Sequence, residues 1–165
     1  EIQQAPASSP RVNLVEKDFT RSLRATAIVA ILKQNQRLRF HIGTSEVIGR
    51  ISICEKNNLS SGECGICLVK LEEPIVLAFQ DQFLIRTYSP MRTIGGGVVE
   101  DINCLGKWKE LKKYAIQLIG NKNIEHKMEF IIENQFGSPF RVDDIVSRFG
   151  FSLDRVIRIG VIKIV

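Results

Sequence analysis

Cys64 and Cys67 are separated by the two-residue gap of a metal knuckle, so they are the first place to look for chemistry. The other candidate soft ligands are Cys54, Cys104, His41 and His126, at irregular spacings. A structural zinc site needs four ligands, usually from two close pairs. Residues 63–71, ECGICLVKL, read as a strand, where positions three apart face opposite sides. The pattern favours reduced, mostly buried thiols over a metal.

The run Gly95-Gly96-Gly97 suggests a phosphate cradle. A P-loop needs Gly, four residues, then Gly-Lys-Ser or Gly-Lys-Thr. Gly106-Lys107 is followed by Trp108, and Asp101 stands where the first Gly belongs. The dinucleotide spacing fails too, because Glu100 occupies the place of its third Gly. The run reads as a tight turn or a close backbone contact inside a barrel. His41 lies on the polar phase of a strand and His126 near the start of a predicted helix, neither within a catalytic motif. Asn58-Leu59-Ser60 fits a glycosylation sequon but reads as a turn in a chain without a secretory signal. No acid, base and nucleophile form a constellation.

The basic residues point elsewhere. Arg24, Arg37, Arg39 and Arg50 fall on the polar phase of three predicted strands, and Arg86 and Arg92 flank the loop 87–91. If those strands are neighbours, several guanidinium groups share one surface suited to phosphate. A solvated barrel exterior is the alternative.

The elements that must position these residues follow from periodicity. From Phe19 to about Asp101 the apolar period is close to two. Leu23, Ala25, Ala27, Val29 and Ile31 form one inward set; Leu38, Phe40 and Ile42 a second; Val47, Gly49, Ile51 and Ile53 a third. Further strands are predicted at 65–71, 82–87 and 97–101, with turns at 33–36, 43–44, 56–62 and 95–97. Short strands without intervening helices argue for an antiparallel barrel or sandwich. After Cys104 the period becomes helical. Trp108, Leu111, Ala115 and Leu118 mark a first helix ended by Gly120, and Ile124, Met128, Ile131, Ile132 and Phe136 a second closed by Gly137. Val142, Ile145, Val146 and Phe149 mark a third closed by Gly150. Ser152 caps a short fourth with Leu153, Val156 and Ile157 inward. Residues 149–152 form the tight turn of a helix-turn-helix, and 161–165 read as the start of a wing strand.

Composition sets the frame. The chain has 165 residues, 44% apolar and 25% charged, with a net charge of +5. This suits a soluble domain, and the mild basicity permits a nucleic-acid partner without requiring one. No apolar run approaches the roughly 18 residues of a membrane span. Residues 1–13, with Pro6 and Pro10 and no starting Met, read as a linker entering a domain of a larger protein.

Three ordered blocks carry a family resemblance: RLRFHIGTSEVIGRI (37–51), GECGICLVKLEEP (62–74) and FLIRTYSPMRTIGGGVVEDI (83–102). Together they cover most of residues 14–103. They resemble domain III of bacterial selenocysteine-specific translation elongation factors. Residues 104–165 are similar, in helix periodicity and turn positions, to the linker and first winged-helix region that follow it. Two positions depart from the pattern: Gln80 stands where a Gly usually precedes Asp81, and Gln82 where an Arg is usual.

The resemblance implies a mainly β fold: a six-stranded antiparallel barrel over 14–103, a linker helix over 104–122 and a partial winged-helix-like segment over 123–165. It implies a cytoplasmic factor that delivers selenocysteinyl-tRNA to the ribosome at UGA codons. GTP and its Mg ion would sit in an N-terminal GTPase domain outside this chain, leaving this piece non-catalytic and without a cofactor. The barrel would hold the T-stem side of the tRNA and pack against the GTPase domain. C-terminal modules, incomplete here, would bind an mRNA hairpin. Carried over by position, the RNA contacts are His41, Thr44 and Ser45 at one turn, and Ser89, Pro90, Arg92 and Thr93 in one loop. The alternative reading is a DNA-binding regulator using the helix-turn-helix-like tail, although its second helix is short and has only Arg155 and Arg158 as basic residues.

Overall fold

A computed structural model describes residues 14–15, 20–27, 31–104, 106–135 and 141–159. The linker over 1–13, the positions of Val29, Phe136 and Gly137, and the wing strand over 161–165 lie outside the described residues. So do the side chains of Leu23, Arg24, Ala25 and Ala27.

The strands are β1 (Leu14–Val15), β2 (Thr20–Ala27), β3 (Leu32–Lys33), β4 (Arg37–Ile42), β5 (Ser45–Ile53), β6 (Asn58–Leu59), β7 (Cys64–Leu71), β8 (Ile75–Val76), β9 (Gln82–Thr87) and β10 (Thr93–Cys104). Four helices follow: α1 (Trp108–Gly120), α2 (Ile124–Gln135), α3 (Val142–Phe149) and α4 (Leu153–Ile159). Six strands close a barrel in the order β10-β2-β7-β5-β4-β9, every pair antiparallel. The expected architecture is therefore present. Two short ribbons, β1–β8 and β3–β6, lie beside it. The second of these makes the span predicted as a plain turn, 56–62, partly strand.

Alternation explains the closure. Leu38, Phe40, Ile42, Val47, Ile51, Ile53, Val69 and Ile85 fill the interior at no more than 6% exposure. Full burial of each such side chain contributes about 1.5–3 kcal/mol. On β4 and β5 the intervening positions are exposed or half-buried, as one-sided burial requires. β7 differs: Cys67, Leu68 and Val69 are all buried. Its outer face is covered by a second core, in which Leu68 and Phe79 meet Leu111, Leu118, Met128, Ile131, Phe149 and Val156. The helical tail is thus packed onto the barrel.

The glycine run is not a turn. Gly95, Gly96 and Gly97 sit inside β10 and pair with both β2 and β9. A Cβ on Gly96 would stand 2.8 Å from the backbone oxygen of Phe83. The close-contact half of the expectation holds, and closing the barrel explains it. Gln80 adopts φ +70, the left-handed region glycine favours. Its amide Nε2 donates to Glu100 Oε2 at 3.2 Å, an interaction glycine would lack.

Four residues expected inward are exposed: Ile31, Trp108, Val142 and Leu153. The last three each begin a helix. Cα–Cβ bonds tilt toward the helix N-terminus, so a first residue points beyond the packed turns. In α1 the inward place goes instead to Tyr114, whose hydroxyl donates to Asp101 Oδ2 at 2.8 Å. Gly150 takes the left-handed cap at φ 66, and Ser152 Oγ accepts from the Arg155 amide, both as expected.

Two adjacent carboxylates join barrel and tail. The β2 register slips between Val99 and Asp101, a bulge that re-aims the side chains of β10. Glu100 meets Lys127 of α2 at 2.6 Å, and Asp101 meets Arg148 of α3 at 2.7 Å. All four residues are buried.

The cysteines do not converge. β7 exposes Cys64 and buries Cys67, and among the described residues no three His, Cys, Asp or Glu side chains could hold a metal. Burial pushes the Cys54 thiol up to about 11 and raises Cys67 further. Both values lie above the ordinary thiol value of about 8.5, so the stability tied to the neutral thiols is present below it. That stability falls as pH climbs through about 11. An aromatic disulfide reagent at mildly alkaline pH should therefore label Cys64 quickly, Cys54 slowly, and Cys67 and Cys104 only on unfolding. Rapid labelling of Cys67 in the folded chain would contradict the burial described.

Candidate nucleic-acid interface

The outer face of β5, β4 and β9 carries arginines in register. Arg37 lies directly opposite Arg50, and Arg39 directly opposite Arg86. This follows from the sequence phase, because inward Leu38, Phe40 and Ile42 force Arg37, Arg39 and His41 outward. Arg24 does not belong to this group: its strand, β2, pairs with β7 and β10 and never borders β4, β5 or β9.

Two of these guanidiniums are held by carboxylates. Arg37 makes a bidentate pair with Glu72, at 2.7 and 2.6 Å. The Glu72 hydrogen bond raises its pKa despite the opposing effect of desolvation. Arg39 pairs with Glu46, whose other oxygen lies 3.3 Å from His41 Nε2. Such surface pairs contribute little stability, but they fix planar groups in place. Among the described residues, Arg50, Arg86 and Arg92 have no carboxylate partner.

The loop after β9 closes this surface at one end. Arg37 and Arg39 each place their guanidinium carbon 4.9 Å from the centre of the exposed Tyr88 ring. The loop braces itself: Thr87 N donates to Arg92 O at 2.9 Å, Arg92 N to Thr87 Oγ1 at 3.0 Å, and Thr87 Oγ1 to Pro90 O. The Ser89–Pro90 peptide is cis. Ser89, Pro90, Met91, Arg92 and Thr93 are exposed. Thr93 Oγ1 accepts from Arg86 Nε at 3.1 Å, so this hydroxyl helps orient an arginine.

The other expected place lies elsewhere. Gly43, at φ 58, and Thr44 form the two-residue link between β4 and β5, since Ile42 pairs with Ser45. Thr44 and Ser45 are exposed, and His41 is half-buried on β4. β4 and β9 run antiparallel with Leu38 opposite Thr87 and Ile42 opposite Phe83. The loop 88–93 and the turn 43–45 therefore sit at opposite ends of this strand pair. At 3.2–3.4 Å per residue they are about 15 Å apart. The turn borders instead a groove of ≈ 600 Å³ lined by His41, Gly43, Gln82, Leu84 and Gly97, among others. Leu84 is 50% exposed there.

The structure brings Tyr88 and Thr93 onto Arg37, Arg39 and Arg86, with Ser89, Pro90 and Arg92 exposed in the same loop. The role of Tyr88 was not foreseen. The signal available was an aromatic residue one step past the last paired position of β9, opposite a strand with arginine at alternate positions.

Comparison with known proteins places this architecture. Residues 17–104 match the family described as selenocysteine-specific elongation factor, beta-barrel domain. A selenocysteine-specific elongation factor of Desulfomicrobium baculatum is 30% identical over 76 residues, which cover 46% of this chain and 12% of that protein. The crystal structure of the bacterial selenocysteine-specific elongation factor EF-Sec superposes with a TM-score of 0.61 at 20% identity. That match covers 84% of this chain and 21% of the solved chain, and at that identity it speaks for the fold. This chain thus spans a small part of the proteins it matches. With more than half of its length inside one family's barrel, it belongs to the selenocysteine-specific elongation factors, as a part that contains their β-barrel domain.

Proposed function

We propose that this barrel is a non-catalytic grip on selenocysteinyl-tRNA within a cytoplasmic GTPase that inserts selenocysteine at UGA codons on the ribosome. In this reading residues 14–103 are the gripping unit, 104–122 a linker helix and 123–165 the start of a winged-helix region leading toward an mRNA-hairpin site. GTP and Mg belong to a GTPase domain outside this chain. The barrel also packs against that domain in this reading.

The observation that carries the reading is the pair of directly opposed arginines, Arg37 with Arg50 and Arg39 with Arg86. Like charges directly opposite on adjacent strands destabilise a sheet. Glu72 and Glu46 hold Arg37 and Arg39, but Arg50 and Arg86 have no carboxylate partner among the described residues, so each pair keeps one uncompensated charge. A polyanion lying over the face offsets that cost. Backbone-level contact by arginines and small loop residues suits a double-stranded RNA stem, which proteins hold by shape, phosphate and 2′-hydroxyl. One stem can touch both the 88–93 loop and the 43–45 turn only if it lies along β4 and β9, across Arg39 and Arg86. His41, Thr44 and Ser45 are then contacts at the far end of one footprint.

Titration of labelled tRNA tests this. Binding should be weak, indifferent to tRNA sequence, and should fall steeply between about 50 and 200 mM salt. Binding that ignores salt, or none at the lower concentration, would remove the tRNA role from this piece.

A further inference from the structure

Helix α1 buries Leu111, Tyr114, Ala115 and Leu118. At about 100° per residue, Lys109 and Lys113 point away from the barrel, while Trp108 and half-buried Lys112 border the buried stripe on the same flank. Trp108, the chain's only tryptophan, is 43% exposed. Among the described residues no ring or cation stacks on it. An indole standing in solvent between lysines is a base-stacking platform with phosphate grips around it.

The charge placement points the same way. Lys107 starts the helix without a side-chain cap, Glu110 is the first turn's acid, and Lys109, Lys112 and Lys113 crowd the first two turns. Cations at a helix N-terminus oppose the macrodipole. A local rule broken with no structural gain is expected where a ligand completes the site. An anionic strand would meet the lysines and the free N–H groups together.

Position separates this face from the arginine surface. α1 rests on β7, β2 and β10, and in the closed ring β7 and β2 stand across from β9 and β4. An RNA stem lying along β4 and β9 does not reach it.

We propose that the exposed face of α1 is a second RNA-binding surface, one that takes single-stranded RNA. Trp108 stacks on one base, and Lys109, Lys112 and Lys113 neutralise the flanking phosphates. A single strand fits better than a duplex because a stacked base must be free of its partner. This assignment stands apart from the tRNA reading, and either can fail alone.

The lone tryptophan makes the test site-specific. The 165-residue chain is titrated with an oligouridylate of about 12 nucleotides while indole fluorescence is followed. Saturable quenching is expected, with a log–log salt slope near −2 from three phosphates at about 0.7 each. Trp108→Ala, read by anisotropy of a labelled oligonucleotide, should weaken binding about ten-fold. Lys109→Glu with Lys113→Glu should abolish the quenching, whereas Arg86→Glu with Arg92→Glu should leave it unchanged. Absent quenching, quenching that survives the lysine reversals, or equal quenching by polyglutamate or anionic vesicles would each overturn the proposal.

Discussion

Replacing Asp101 with Ala should cost about 3–5 kcal/mol of unfolding free energy, the range for breaking a buried ion pair by removing one partner. Asp101 is 1% exposed, and its donors include Arg148 Nη2 at 2.8 Å, the Tyr114 hydroxyl at 2.8 Å and Cys104 Sγ at 3.4 Å. Burial alone would lower the Arg148 pKa, but the charge and hydrogen bonds of Asp101 outweigh it and the value is raised. Burial first, then the Asp101 charge, raises the Tyr114 phenol and keeps it a donor. Arg148→Met should cost less, because the carboxylate keeps its other donors. A double variant with apolar residues at 101 and 148 should recover much of the loss, since well-packed apolar replacements of buried pairs are often neutral. Denaturant unfolding measures all three. Limited proteolysis adds the location: in Asp101→Ala, cleavage should begin around α1 and α3 while the barrel stays intact. A loss below about 1 kcal/mol, in the range of an exposed pair, would show that the contact does not hold tail to barrel.

That junction marks the boundary of what the sequence discloses. Strand phases were legible because one-sided burial writes itself as alternation, as in Leu38, Phe40 and Ile42. Gly150 was legible because a left-handed cap nearly demands glycine. The glycine run misled because a Cβ-free stretch has two uses, turning and close approach, and only the packing of β10 on β9 decides between them. Glu100 and Asp101 entered the reading only as residues that spoil glycine motifs. Their partners, Lys127 and Arg148, are distant in sequence, and nothing local says that a bulge turns two carboxylates toward helices not yet formed. The candidate interface divides the same way. Local pattern placed the arginines outward and the loop 88–93 at the surface. Strand order alone could show that Arg24 sits on a non-adjacent strand and that the turn 43–45 lies at the other end of β4.

Reversing Arg86 and Arg92 to Glu should move binding and stability in opposite directions. Neither guanidinium has a carboxylate partner among the described residues. Each can therefore give its charge to a phosphate without first breaking an ion pair, unlike Arg37 and Arg39. A hydrogen bond to a charged group contributes about 1.5–3 kcal/mol, and each 1.4 kcal/mol is ten-fold in affinity. Losing both contacts should weaken tRNA binding about a hundred-fold and flatten the salt slope by about 0.9 for each phosphate released. At the same time Arg86→Glu turns the like-charge pair with Arg39 into an opposite one, adding at most about 0.2–1 kcal/mol, because Arg39 already holds Glu46 and the Arg86–Thr93 hydrogen bond is lost. A solvated exterior with no ligand would show the gain in stability and no change in binding. The charge-matched control is Lys122→Glu with Arg158→Glu, both exposed on the helical tail. If the control weakens tRNA binding equally, net charge governs it and the arginine face is not the site. If only Arg86 and Arg92 matter, the sheet has kept two opposed arginine pairs at a cost in stability because an RNA backbone lies across them.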